Sequence, residues 1–239
     1  MSKTAHELTR KEMKGPDRFQ SAASEAANWA VARQKLIVGG VLALLGVAAV
    51  VIAITSYFDG RKAKAGGDLY RAIEVASGEI STVALPNVDR PVFKTLEEKE
   101  KAVLAEAEKV RQRNPGTRSA ATAWLLEGDA QFRLQAWDKA IAAYQQYLEQ
   151  APADDALRFG ALDGIARAQE GKGDLAAAVK AWDKAGELAF YKERAVLEKA
   201  RVLAKLGNVD EARKELEALP KESPLAGEVQ SRLSRLGAK

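Results

Sequence analysis

From Leu36 to Phe58 the chain reads LIVGGVLALLGVAAVVIAITSYF, 23 residues without a single charge. An uncharged run of this length has few places to go. As an α-helix rising 1.5 Å per residue it spans roughly 34 Å, enough to cross a hydrocarbon core of about 30 Å with slight tilt. Thirteen of its residues are Leu, Ile, Val or Phe, and on the insertion scale they favour the bilayer by at most about 4–8 kcal/mol. Arg33 and Lys35 precede the run, and Tyr57, Arg61, Lys62 and Lys64 flank its other end, residue types that anchor a helix at the interface. A cleaved signal peptide would keep its apolar region near the start, limit it to about 7–15 residues and follow it with a small-x-small site. Here 35 residues come first and the run ends in SYFDG. The reading is a retained single-pass anchor over 36–58. Arg18, Arg33 and Lys35 on one side balance Arg61, Lys62, Lys64 and Arg71 on the other, so the positive-inside count leaves its orientation open. Gly39, Ala43, Gly46, Ala49 and Ala53 recur at steps of three and four. Such a stripe would let a second membrane helix pack closely, although membrane helices are rich in Gly and Ala in any case.

Charge divides the chain in the same place. Residues 1–35 hold seven basic and four acidic residues, which leaves 30 basic and 29 acidic residues for the rest. The balanced body lacks the basic excess of a nucleic-acid binder. The 1–35 tail is polar, with a helix expected from Pro16 or Asp17 that sets Phe19, Ala22, Ala26 and Trp29 on one face. There is no cysteine, and the single histidine, His6, lies in this tail. Disulfides, thiolate metal sites, cysteine nucleophiles and histidine clusters are therefore not expected anywhere in the chain.

Beyond residue 59 the pattern is helical, with apolar residues at three- and four-residue spacing and no strand-like alternation. The breaks fall at Pro86 and Pro91, Asn114-Pro115-Gly116, Ala151-Pro152, Gly171-Lys172-Gly173, Gly207-Asn208, and Pro220 to Pro224. Thr95 with Glu98 forms a capping box, Asp174 and Asp210 sit at helix starts, and Ser223-Pro224 reads as an N-cap followed by proline. Within this frame one unit recurs. Trp137, Ala140 and Tyr144 have counterparts Leu175, Ala178 and Trp182, and then Val209, Ala212 and Leu216. Gly173 and Gly207 stand before the second helix of successive units. Val103, Ala107 and Val110, followed by Pro115, mark a more divergent unit upstream.

These residues resemble the tetratricopeptide repeat (TPR), a helix pair of about 34 residues. In AWLLEGDAQFRLQAWDKAIAAYQQYLEQAP, Trp124, Gly128, Trp137, Ala140, Tyr144 and Pro152 occupy signature positions, with departures at Glu127 and Gln135. The expected fold is all-α: a TPR-type α-solenoid of antiparallel helix pairs preceded by a single transmembrane helix. Its segments are 1–35 (tail), 36–58 (anchor), 59–115 (divergent first pair), 116–222 (TPR pairs) and 223–239 (capping helix). Small residues at Ala140, Ala178 and Ala212 let paired helices approach, while Tyr144, Trp182 and Leu216 fill the space between repeats.

No enzyme constellation emerges. Gly171-Lys172-Gly173 lacks phosphate-loop spacing. Asp154-Asp155 reads as a helix cap rather than a metal site. Glu97, Glu98 and Glu100 alternate with lysines as on a solvated helix face. No catalytic, cofactor or metal role is therefore assigned to any residue. By resemblance to TPR proteins, the first helix of each pair lines a groove for peptides. That assigns Thr122, Leu125, Asp129, Phe132 and Arg133, then Asp163, Arg167 and Glu170, then Arg194, Leu197, Arg201 and Lys205, growing basic toward the last pair. The Lys/Asn carboxylate clamp of chaperone-docking TPRs is not matched, because Asp129, Arg167 and Arg201 hold the positions expected for Asn.

A polar tail, one anchor, a following helix RKAKAGGDLYRAIEVA and a TPR body also resemble the ancillary SecYEG translocon subunit (YfgM-like) family. That resemblance implies a bacterial inner-membrane protein with a cytoplasmic tail and a periplasmic body. Its partners would be translocon subunits, periplasmic chaperones or exported chains, without catalysis and without nucleic acid. An envelope-assembly scaffold, or a regulatory protein acting through its cytoplasmic tail, fits the same pattern.

Overall fold

A computed structural model of the chain describes residues 18–83 and 90–237. The expected helix start at Pro16 or Asp17, His6 and most of the Val83–Phe93 connection lie outside the described residues. The chain divides into two compact units, 1–59 and 60–239. The first contains α1 (Arg18–Ala32) and the beginning of α2 (Gln34–Ala76). Within α2 lies a stretch long and apolar enough to cross a membrane, none of it buried in protein. Gly39, Ala43, Gly46, Ala49 and Ala53 are all exposed on it.

The second unit is a run of helices joined by short turns, which sets neighbours antiparallel. After the end of α2 come α3 (Leu96–Arg113), α4 (Arg118–Arg133), α5 (Trp137–Gln150), α6 (Arg158–Lys172), α7 (Leu175–Gly186), α8 (Lys192–Leu206), α9 (Val209–Glu217) and α10 (Ala226–Gly237). From α3 to α10 each helix packs on the next, and α4 also touches α6 while α10 touches α8. One departure from the all-helical expectation is a two-residue parallel pairing of β1 (Glu79–Ile80) with β2 (Val92–Phe93). Two residues are too few to show an alternating pattern, so nothing in the sequence marks it.

Caps fix the helix ends. Thr95 accepts from the Glu98 amide while Glu98 Oε2 accepts from the Lys94 amide, so the Glu98 carboxylate reaches one residue ahead of the cap. Asp174 accepts from the Ala177 amide. Ser223 accepts from the Leu225 amide one turn before α10 begins, and Asp210 lies in the first turn of α9 rather than ahead of it.

The repeat geometry follows from size differences at a few positions. Ala140, Ala178 and Ala212 are completely buried. Tyr144 lies between α4 and α6: a Cβ on Gly128 would sit 2.5 Å from its ring and one on Gly164 2.4 Å. In the same way a Cβ on Gly171 would meet Trp137 at 2.8 Å. Glycine is needed there because an aromatic ring lies where a side chain would go. Trp182 and Leu216 are each 1% exposed in the equivalent places. Val103, Ala107 and Val110 are buried too, and the last two pack with Ala72 and Ala123, joining the end of α2 to the stack. The Asn114 amide donates to Asp68 at 2.9 Å, and this bond holds the Asp68 carboxyl below its usual range.

The turn before each second helix needs a left-handed residue. Gly173 and Gly207 supply it with φ of 84° and 90°, whereas the first turn uses Gln135 at φ 58°. A side chain there costs about 1 kcal/mol that glycine avoids. Gln135→Gly is therefore expected to raise the unfolding free energy by roughly 0.5–1 kcal/mol, read as a higher urea midpoint. A lower midpoint would mean that the Gln135 side chain contributes more than its backbone strain costs.

Candidate functional site

The first helices of successive pairs, α4, α6 and α8, followed by α10, present the face assigned to partner binding. Thr122, Leu125, Asp129, Phe132 and Asp163 are half-buried on it, as are Glu170, Arg194 and Arg201, while Arg133, Arg167 and Lys205 are exposed. Leu197 departs from this assignment. It is fully buried and packs with Ala200, Leu203, Leu216 and Val229. Residues of α9 and α10 form the core on that side of α8, and its central leucine packs into it instead of toward a ligand.

Charged groups on this face are held by one another, both within and across helices. Arg133 Nε donates to Glu100 on α3 at 2.7 Å. Arg167 Nε is shared by both oxygens of Asp163 at 2.8 Å. Arg201 grips Glu170 on α6 through two bonds of 2.7 and 2.9 Å, and its Nε donates to Glu198 at 2.8 Å. Arg232 on α10 donates to Glu198 at 2.9 Å and to Glu228 at 2.6 Å. Arg194 pairs with Glu198 and Glu228 at 3.3 and 3.2 Å. Hydrogen bonds to Glu170 raise Arg201 further above its already high value, against the opposing effect of burial. The expected basic gradient is thus offset by glutamates. Lys205, at the far end, makes no such pair.

Glu100 corrects a second expectation. It is no part of a solvated face: its side chain is completely buried against Arg133. Glu100, Glu198, Glu228 and Arg232 all lay outside the residues assigned from sequence. A signal for them exists in the spacing. Arg133–Glu100, Arg201–Glu170, Arg232–Glu198 and Arg194–Glu228 are separated by 33, 31, 34 and 34 residues. That is about one repeat, so opposite charges one period apart are the ones the fold brings together. Glu127, the departure at a usual leucine, pairs with Arg111 at 2.6 Å, and the Arg111 guanidinium lies 3.9 Å over Trp124. Asp155 is more than a cap. It accepts from the Leu157 amide ahead of α6 and also holds Arg118 at 2.7 Å; burial pushes its carboxyl up, and these bonds outweigh that and lower it.

At the end of the face a cavity of about 300 Å³ opens where α8, α9 and α10 meet, lined by Ala200, Arg201, Ala204, Leu216, Arg235 and Leu236 among others. Among the described residues, no group of three or more His, Asp or Glu is placed to hold a metal ion.

This architecture is a TPR-type solenoid, a class whose stacked helix pairs form extended surfaces for other proteins. Residues 122–154, spanning most of α4, all of α5 and the turn that follows, match the family model of the tetratricopeptide repeat. Among solved structures the chain is similar to YrrB, described as a TPR protein with an unusual peptide-binding site. The identity is 17%, the match covers 59% of this chain and 69% of that one, and the TM-score is 0.45. No curated protein matches the chain in sequence.

Proposed function

We propose that the protein is a membrane-anchored TPR scaffold that binds segments of other proteins on its first-helix face. In the finer reading it is accessory to the Sec translocon in a bacterial inner membrane and passes exported chains to periplasmic chaperones. The anchor would be the apolar stretch of α2, crossing the bilayer once, with the N-terminal tail cytoplasmic and the solenoid periplasmic. Groove contacts would come from Thr122, Leu125, Asp129, Phe132 and Arg133, from Asp163, Arg167 and Glu170, and from Arg194, Arg201 and Lys205. Gly39, Ala43, Gly46, Ala49 and Ala53 would face another membrane helix.

The observation that supports binding on this face is its preorganisation. Ion pairs link α3 to α4, α6 to α8 and α8 to α10, so side chains along it are held in place before a partner arrives, which lowers the entropic cost of binding. The translocon reading rests on the family resemblance. A photocrosslinker at Thr122 or Lys205 in living cells tests both. Capture of translocon subunits or nascent exported chains supports the Sec reading, and capture of envelope-assembly machinery alone overturns it. A reporter fused at Lys239 that is active only in the cytoplasm would overturn the periplasmic placement.

A further inference from the structure

Asp129 is the acid of the first-helix face that no cation touches. Its Oδ1 accepts from the Tyr144 hydroxyl at 2.7 Å, and it makes no ion pair. Neighbours from three other helices surround it. From α3 comes Glu100, whose Oε1 is held by Arg133 and whose buried Oε2 has no hydrogen-bond partner. From α5 comes Tyr144, and from α6 comes Asp163, both of whose oxygens are taken by Arg167. Three carboxylates (Glu100, Asp129 and Asp163) therefore share two guanidiniums, Arg133 and Arg167. One negative charge is left over. Burial pushes the Asp129 carboxyl above its usual range. The Tyr144 hydrogen bond and Arg133 oppose this, and the charges of Glu100 and Asp163 add to it.

Packing alone does not call for that charge. The Tyr144 hydroxyl needs only an acceptor, and an asparagine carbonyl would supply one without a half-buried charge to desolvate. Leu125 and Phe132 stand four residues before and three after Asp129 on the same helix face, both half-buried. Apolar neighbours at that distance suit the methylene stem of a long cationic side chain.

We propose that Asp129 is an anchoring subsite that takes the ammonium or guanidinium of a lysine or arginine within a bound protein segment, its stem lying along Leu125 and Phe132. This rests on the reading of the first-helix face as the partner-binding surface. The incoming cation pairs with Asp129 and balances the local charge. The Glu100 carboxylate keeps its bond to Arg133, and its field strengthens the attraction through a medium of low dielectric.

The test uses the full chain in lipid nanodiscs and fluorescence anisotropy. The probes are three short labelled peptides, N-acetylated and C-amidated, built from leucine, alanine and glycine around one central Lys, Gln or Glu. The Lys peptide is expected to bind about tenfold more tightly than the Gln peptide and the Glu peptide most weakly. Asp129→Asn keeps an acceptor for Tyr144 and should remove that tenfold preference while leaving the Gln peptide unchanged. Acidification through the raised range of Asp129 should weaken the Lys peptide alone. Equal binding of the Lys and Gln peptides by the unmodified protein overturns the subsite and leaves the binding surface standing. Failure of all three peptides to bind overturns both.

Discussion

Tyr144→Ala should lower the unfolding free energy by about 3–5 kcal/mol, the range for truncating a large buried aromatic. The ring is 2% exposed and is clasped by backbone on both sides, with Gly128 on α4 and Gly164 on α6 lacking the side chains that could fill the vacated space. The site therefore collapses poorly, which places the cost high in that range. A second loss adds to it, since Asp129 gives up the hydroxyl that donates to it. Tyr144→Phe separates the two effects: it keeps the ring and should cost only about 1–2 kcal/mol. Urea unfolding of the full chain in detergent, followed by circular dichroism, reads both variants. Equal losses for Ala and Phe would mean that the hydroxyl, not the packed ring, holds α4 and α6 together.

Glu198→Ala should cost about 2–3 kcal/mol. Glu198 is 5% exposed and receives Arg201 and Arg232 at 2.8 and 2.9 Å, with Arg194 at 3.3 Å, so it joins α8 to the terminal α10. Removing one partner of a buried pair costs about 3–5 kcal/mol. The figure is lower here because the stranded guanidiniums reach water and can turn to Glu170 and Glu228. Burial pushes the Glu198 carboxyl up, but the hydrogen bonds and charges of Arg201 and Arg232 outweigh it and hold the group below its usual range. A depressed folded-state pKa stabilises fully above the unfolded value of about 4.3 and loses that contribution as pH falls through the folded one. The wild type should therefore lose stability below about pH 4 more steeply than Glu198→Ala. Parallel pH profiles would remove Glu198 from the acid response. Asp129 has the opposite sign: its raised pKa penalises the folded state above that value, and the penalty disappears as pH falls through it.

The solenoid was legible because its pattern repeats. Ala140, Ala178 and Ala212 sit in a fixed register with Tyr144, Trp182 and Leu216, and one rule read along the chain places all six in the core. The face proposed for binding was less legible. Leu197 shares its helix and spacing with Arg194 and Arg201, yet it is fully buried, because Leu216 on α9 and Val229 on α10 pack in one cluster with it. Glu100 looked like one more member of a charged run, and only the approach of α4 supplied the Arg133 that lets it be buried. The β1–β2 pairing left no trace in sequence at all.

What the amino-acid sequence determines here is whatever depends on local order: an uncharged run long enough for a bilayer, helix lengths, turn positions and the repeat register. Each follows from neighbours within a few residues or from a period that recurs. The tertiary structure alone decided which charges meet. Glu198 joins three arginines from two helices, and Asp129 is left with a tyrosine and no ion pair, because helix packing brings Arg232 to Glu198 across 34 residues and Tyr144 to Asp129 across 15. The balance of charge on the face proposed for binding is a property of that packing.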